Sequence, residues 1–319
     1  MCALFGFLDY GKRTPWRVLQ KLVQALANAS EVRGTHAAGI AYNYDDRLSI
    51  FKRPKPAHKL RFRIPEGNVA VMGHTRLTTQ GDQKHNYNNH PFRGHAGTDF
   101  ALAHNGVLWN DTQLRSKLSL PDTQIETDSY IAVQLIESQK QLTFDSLRYA
   151  AEQVRGNFTF TLLDRANNLW FVKGESPLYL IHIPSLGLYV YASTKEIMTA
   201  AFKQMPVRFP QHEVIQVEEG ALLRIAPDGK ITRSSYTVQD DYTMYNSRWF
   251  SSYLCGWEQP EKGSCGEDDY MLLLELCGYY GAEPETVQYL RELGYSYTEI
   301  EDFLMDPKSS SAELALAEL

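Results

Sequence analysis

The sequence has no apolar run approaching the roughly 20 residues that span a bilayer. Its N-terminus lacks the basic segment and long apolar stretch of a secretory signal. No membrane partner is expected, and the localisation expected is cytoplasmic. Cysteine is scarce: Cys2, Cys255, Cys265 and Cys277 are too few and too irregular for a disulfide framework, and no C-x-x-C pair suggests zinc. Excess positive charge is lacking too. A net charge of −6 argues against a chain dominated by nucleic-acid binding. There is no internal repeat and no G-x-x-x-x-G-K phosphate loop, and nothing calls for a cofactor. His74, His85, His90, His95 and His104 are irregularly spaced without H-E-x-x-H, so no metal is expected. His74 and His104 are read as strand-end residues and His90 as a residue preceding proline, all three hydrogen-bonded around a pocket.

What is present is ordinary for a globular chain able to bury a sizeable core: 43% hydrophobic and 22% charged residues in a length of 319. Up to about Ile225, short runs rich in Val, Ile, Phe and Tyr (ALFGFL, GIAYNY, VAVMGH, FALAHNG, FTFTLLD, LWFVKG, PLYLIHI, LYVYAS) are bounded by Gly, Pro, Asn or Asp, as antiparallel strands are. WRVLQKLVQALANA, SYIAVQLIESQ and LRYAAEQVR carry apolar residues at helical spacing. The mixture predicts an α+β fold of layered sheets flanked by helices. Beyond Ile225 the stretch beginning TRSSYTVQDD reads as an irregular connector, and residues 268–306 read as three short amphipathic helices separated by Gly. The expected organisation is a first domain over 1–235, a linker over 236–267, a small three-helix region over 268–306 and a frayed tail over 307–319.

The chemistry centres on the second residue. If Met1 is removed, Cys2 carries a thiol and a free α-amine together, and an amine with a reference pKa near ~8 is a usable base. Such a nucleophile needs oxyanion donors and groups that orient a substrate. Arg76 in GHTRLTTQG follows a strand-like run, where a guanidinium can take a carboxylate. Asn105 and Gly106 in FALAHNGVLWN place a side-chain amide beside a glycine N–H, two donors for an oxyanion. Asp128 in IETDSYIAVQLIE stands at a helix start, where it can cap the helix or take an ammonium group. Singly, each has an ordinary role: surface ion pair, hairpin turn, N-cap, terminal residue.

Taken in order, Cys2 with LFGF, RGTHAAGIA, GHTRLTTQG, NNHPF, AHNGVL, ETDSYIA, RGNFTFTLLD, SPLYL and YASTKEI resemble the class II glutamine amidotransferase domain, over about 225 residues. The resemblance implies an N-terminal nucleophile hydrolase fold, a four-layer αββα sandwich of antiparallel sheets. It implies Cys2 as nucleophile, Asn105 and Gly106 as oxyanion hole, and Arg76 and Asp128 as the groups that hold the α-carboxylate and α-ammonium of L-glutamine. It gives Arg33 a supporting role near the nucleophile and places Thr79 and Gln80 on the glutamine-pocket loop. The implied reaction is hydrolysis of glutamine to glutamate and ammonia through a γ-glutamyl thioester.

Several positions depart from the family pattern. His36 stands where an aspartate is usual, Leu77 where an aromatic is usual, and Ala3 where glycine is common. Only about 85 residues follow the matching domain, so an ammonia acceptor is expected in a partner protein. A non-catalytic descendant that binds glutamine or a partner is the competing expectation. The basic stretch FKRPKPAHKLRFR, with six Lys or Arg residues, is read as a solvated loop between strands, with binding of a polyanion as its functional alternative.

Overall fold

The computed structural model describes residues 2–238, 273, 284–293, 295, 300, 303 and 304. The expected tail, most of the expected linker and three-helix region, and Cys255, Cys265 and Cys277 lie outside the described residues. The chain divides into two compact units, Met1–Asp241 and Tyr242–Leu319. In the second, a helix spans Pro284–Glu292 and buries Val287 and Leu290 at the i, i+3 spacing of one helical face. No helix among the described residues is long and apolar enough to cross a membrane.

The first unit runs β1 (Ala3–Asp9), α1 (Trp16–Ala29), β2 (Ala37–Tyr44), β3 (Arg47–Arg53), β4 (Ala70–Arg76), β5 (Phe92–His95), β6 (Asp99–Leu108), α2 (Asp111–Lys117), α3 (Tyr130–Ser138) and α4 (Phe144–Gln153). It continues through β7 (Gly156–Asp164), β8 (Leu169–Lys173), β9 (Tyr179–Ile183), β10 (Leu188–Ala192), α5 (Lys195–Lys203), β11 (Glu213–Ile215), β12 (Ala221–Ile225) and β13 (Ile231–Ser235). Two sheets form, in the orders β11-β9-β10-β1-β4-β2-β3 and β13-β12-β8-β7-β6-β5, and the strand pairs are antiparallel.

The layering follows from the period-2 pattern of the strands. Along β1, Ala3, Phe5 and Phe7 face one way and join a core with Leu19, Leu22 and Leu26 of α1 and Ile197 and Ala201 of α5. Leu4 and Leu8 face the other way and meet Ala101, Ala103, Leu163 and Phe171 of the second sheet. That second sheet buries Leu102, Phe160 and Leu162 of its outer face against Ile131 and Leu135 of α3 and Leu147 and Ala150 of α4. The result is the expected α+β, four-layer αββα sandwich with three apolar interlayers.

The quoted strand and helix runs coincide with strands and helices. Three local expectations change. Thr232–Ser235 belong to β13, which pairs with β12 from Ile225↔Ile231 to Ala221↔Ser235, so the first unit's sheet continues where a connector was expected. Asn105 and Gly106 lie within β6, opposite Thr159 and Phe158 of β7, rather than in the hairpin turn that is their ordinary role. His74 and His104 likewise sit inside β4 and β6.

Candidate active site

Cys2 immediately precedes β1, and its side chain is buried. β1 pairs with β4 through Ala3↔Thr75, so one step further along the ladder Cys2 comes opposite Arg76, the last residue of β4. The thiol donates to the Leu77 carbonyl at 3.4 Å. Burial pushes the Cys2 pKa up, while the positive charge of Arg76 pulls it down and Asp128 opposes that pull. Arg33 donates from Nε to the Cys2 carbonyl at 2.8 Å and so holds the nucleophile's own backbone.

Arg76 is 3% exposed. Its guanidinium donates to Asn89 Oδ1 at 2.8 Å, to the Gln80 carbonyl at 2.5 Å and to the Gly81 carbonyl at 2.8 Å. These acceptors are neutral. With five N–H donors on a guanidinium, donors and an unneutralised positive charge remain for an anionic ligand. Burial pulls its pKa down, and Cys2, Asp128 and Asp82 oppose that pull from longer range. The wrap of Gln80 and Gly81 around Arg76 also fixes the loop that follows β4. Gln80 reaches on to Asp111 Oδ2 at 3.5 Å, and Thr79 stands exposed on the same loop.

His36, the departure from aspartate, accepts the Thr78 N–H on Nδ1 at 3.0 Å, while its backbone N–H donates to the Arg76 carbonyl at 2.9 Å. An acceptor is what this position supplies, as a carboxylate would.

Asn105 is 1% exposed, and its Nδ2 lies 3.4 Å from Ser193 Oγ. The same Ser193 oxygen accepts the Leu4 N–H at 2.8 Å. One hydroxyl therefore joins the amide on β6 to the strand that carries the nucleophile. Gly106 has φ +138, and a Cβ there would sit 1.8 Å from the Asn157 carbonyl oxygen, so only glycine fits.

Asp128 does not cap α3. Its Oδ2 accepts the Leu108 N–H at 2.7 Å, and its Oδ1 accepts the Ser129 hydroxyl at 3.2 Å. The helix begins two residues later, at Tyr130, without a side-chain cap. The carboxylate is thus tied to the end of the strand that carries Asn105 and Gly106, and it acts electrostatically on both Cys2 and Arg76.

Beneath these groups lie three buried histidines. His104 Nδ1 is 2.8 Å from Ser129 Oγ, and His74 Nε2 donates to the His104 carbonyl at 2.9 Å. Burial lowers all three pKa values, that of His74 to about 3, so they are neutral near pH 7. His90 departs from expectation. Neither of its ring nitrogens has a hydrogen-bond partner among the described residues; its ring packs on His74 at 4.1 Å and Phe92 at 4.4 Å between centroids.

The structure therefore places Cys2, Arg33, Arg76, Asn105, Gly106 and Asp128 in one linked region, with Thr79 and Gln80 on its loop. Sequence reasoning missed Ser193, Ser129 and Asn89 as individual residues, although they fall inside the quoted YASTKEI, ETDSYIA and NNHPF segments.

Comparison with known proteins bears on this geometry. Residues 74–200 match a family model described as a glutamine amidotransferase domain. A glutamine–fructose-6-phosphate aminotransferase of Halalkalibacterium halodurans is 28% identical over 249 residues, covering 76% of this chain and 40% of that protein. The enzyme of the same name from Staphylococcus aureus is 29% identical over 270 residues, covering 80% of this chain and 42% of its own length. The chain thus spans less than half the length of these curated relatives. The solved glutamine phosphoribosylpyrophosphate amidotransferase of B. subtilis superposes with a TM-score of 0.55 at 22% identity, over 75% of this chain and 50% of that one, a likeness of fold. An allosteric regulatory enzyme of purine biosynthesis gives a TM-score of 0.57 at the same identity and coverage. The matched residues 74–200 include Arg76, Asn105 and Gly106: over that stretch the chain is similar to a glutamine amidotransferase domain, and the first unit shares the fold of these two solved structures.

Proposed function

We propose that this domain hydrolyses the side-chain amide of L-glutamine, with Cys2 as nucleophile, and that the ammonia passes to an acceptor on a partner protein. The observation that carries the reading is the meeting of a buried thiol with a guanidinium whose contacts are all neutral, a carboxylate tied to the neighbouring strand, and an Asn-Gly pair in which only glycine fits. Glutamine presents a complementary set of groups: an α-carboxylate for Arg76, an α-ammonium for Asp128, and an amide carbon between them and the thiol.

Removal of Met1 exposes the Cys2 α-amine, which takes the thiol proton. The thiolate attacks the amide carbon. Negative charge builds on the amide oxygen, where the Asn105 side-chain amide and the Gly106 N–H donate to it. As the tetrahedral centre collapses, the protonated α-amine gives its proton to the departing nitrogen and ammonia leaves. Water activated by the same amine then hydrolyses the γ-glutamyl thioester, releasing glutamate and restoring the thiol. Arg33 holds the Cys2 carbonyl, which keeps the nucleophile's backbone still through both steps. Thr79 and Gln80, on the loop wrapped around Arg76, close over the amino-acid end of the substrate. A working thiol requires a reducing compartment, in keeping with a cytoplasmic location.

The acceptor proposal rests on the two longer relatives, whose names describe transfer of an amino group from glutamine to fructose-6-phosphate. The test is production of glutamate and ammonia from glutamine by the purified chain and by Cys2→Ala, with intact mass reporting the state of Met1. Turnover in the processed parent and its disappearance in the variant are expected. Equal turnover in both would refute the assignment of Cys2.

A further inference from the structure

Lys52 is a buried cation that the mechanism above does not use. It lies on β3 opposite Gly39 of β2, and its ammonium turns toward the segment between β4 and β5. Nζ donates to the carbonyls of Asn89 and of Pro91, the latter at 3.1 Å, and stands 4.9 Å from the centroid of the Phe92 ring. Among the described residues no carboxylate forms an ion pair with it. β2 approaches the same segment closely: a Cβ on Gly39 would meet the His90 carbonyl oxygen at 2.4 Å and Lys52 Cβ at 2.7 Å. Segment and lysine are therefore packed as one piece.

That piece ends at the substrate-gripping arginine. The backbone carbonyl of Asn89 takes the Lys52 ammonium, and its side-chain oxygen takes Arg76 Nη1 at 2.8 Å. Asn89 Nδ2 donates to the Gln83 carbonyl at 2.8 Å, so the amide's orientation is fixed with oxygen toward Arg76. Two cations thus share one residue, and among the described residues no carboxylate contacts either. Burying like charges together raises the energy of the empty site, and an anion bound beside Arg76 relieves part of it.

We propose that Lys52 is a positioning residue of the substrate's α-carboxylate subsite: through Asn89 it fixes the Arg76 guanidinium, and its charge adds to the field that attracts the carboxylate. This deepens the glutaminase reading and rests on it. Burial and, secondly, Arg76 push the Lys52 pKa down to about 8, within reach of ordinary assay conditions. The groups facing Lys52 are few. Arg76 comes from β4, and His90, kept neutral by burial, comes from the intervening segment; Ala37–Ile40 of β2 present no titratable side chain. On its own strand, Arg53 donates to the Lys52 carbonyl at 2.8 Å.

The experiment is glutaminase kinetics of the full chain, its Lys52→Met variant and its Lys52→Arg variant across neutral to alkaline pH. Lys52→Met is expected to raise KM for glutamine about tenfold with kcat within about twofold, the size of one charge interaction at intermediate dielectric. In the parent, KM should climb as pH passes about 8 and the ammonium is lost. Lys52→Arg, which keeps its charge, should restore a low KM and lack that step. A KM for Lys52→Met within twofold of the parent would overturn the proposal. So would the same step at about pH 8 in Lys52→Arg, a comparison that decides the matter if Lys52→Met does not fold. Calorimetric binding of L-glutamine to Cys2→Ala chains with and without Lys52→Met makes the same comparison without turnover. Failure of the Cys2 chemistry and failure of the Lys52 role are thereby read separately.

Discussion

At the scale of residues, the polar groups of the site are held by neutral partners: Arg76 by Asn89, Gln80 and Gly81, and Asp128 by Leu108 and Ser129. Asn105 leans on Ser193, whose hydroxyl also receives the Leu4 N–H, so the proposed oxyanion donor and the strand that follows Cys2 are positioned by one oxygen. Asn105→Ala should lower kcat by roughly 10²–10³ with a small change in KM, since an oxyanion donor acts mainly in the transition state. Ser193→Ala should lower kcat less, because the Asn105 amide remains but its orientation loosens; steady-state kinetics of the two variants side by side would rank them. Cys2, Arg76 and Asn105-Gly106 stand out in the sequence by residue type and local order, and the roles proposed for them start from there. Lys52 and Ser193 do not. Lys52 acts through backbone carbonyls and Ser193 through a backbone N–H and an amide, contacts that exist only once β3 has met the segment before β5 and β1 has met β10. Asp128 shows the same limit in reverse: its place before a helix suggested a cap, whereas its oxygens serve Leu108 and Ser129.

At the scale of elements, alternation decides which face of each strand does what. β1 sends Phe5 and Phe7 to the helices and Leu4 and Leu8 to the opposite sheet, which holds the strand rigidly behind Cys2. Leu26 of α1 is fully buried against that strand's outer face. Leu26→Ala should cost ~3 kcal/mol, measured by chemical denaturation. Over the second sheet, α4 starts with a reciprocal capping box between Thr143 and Ser146. Thr143→Ala should cost ~1 kcal/mol in the same assay and leave glutamine kinetics unchanged, since the cap lies on the outer helical layer. The longer strands and helices were readable because their periodicity repeats several times. The short strands β5 and β11 offer only four and three residues, and pairing with a neighbour defines them. The basic stretch after Phe51 gave a loop by composition. Its first residues, Phe51–Arg53, end β3, and the rest joins β3 to β4 as expected, but Phe62 is buried and its N–H is accepted by the side chain of Gln24 of α1.

At the scale of the whole molecule, the three interlayers of the sandwich are built from residues between Ala3 and Tyr236. A chain ending at Asp241 is accordingly expected to fold and to melt cooperatively, a point that calorimetry of the truncated protein would check. The two sheets bring together parts separated by long stretches of chain: Cys2 and Arg76 from the first sheet, Asn105 and Gly106 from the second, and Asp128 from the connection to α3. Sequence order suggested the set, and the meeting of the sheets supplies the distances. The central claim is that glutamine passes through a covalent γ-glutamyl bond to Cys2. Its most direct test is rapid acid quenching of the processed protein with glutamine, followed by mass analysis of the peptide that begins at Cys2. The account predicts one γ-glutamyl adduct on that peptide, removed by hydroxylamine and missing in Cys2→Ala. Glutamate production that persists in Cys2→Ala, with no adduct in the parent, would contradict it.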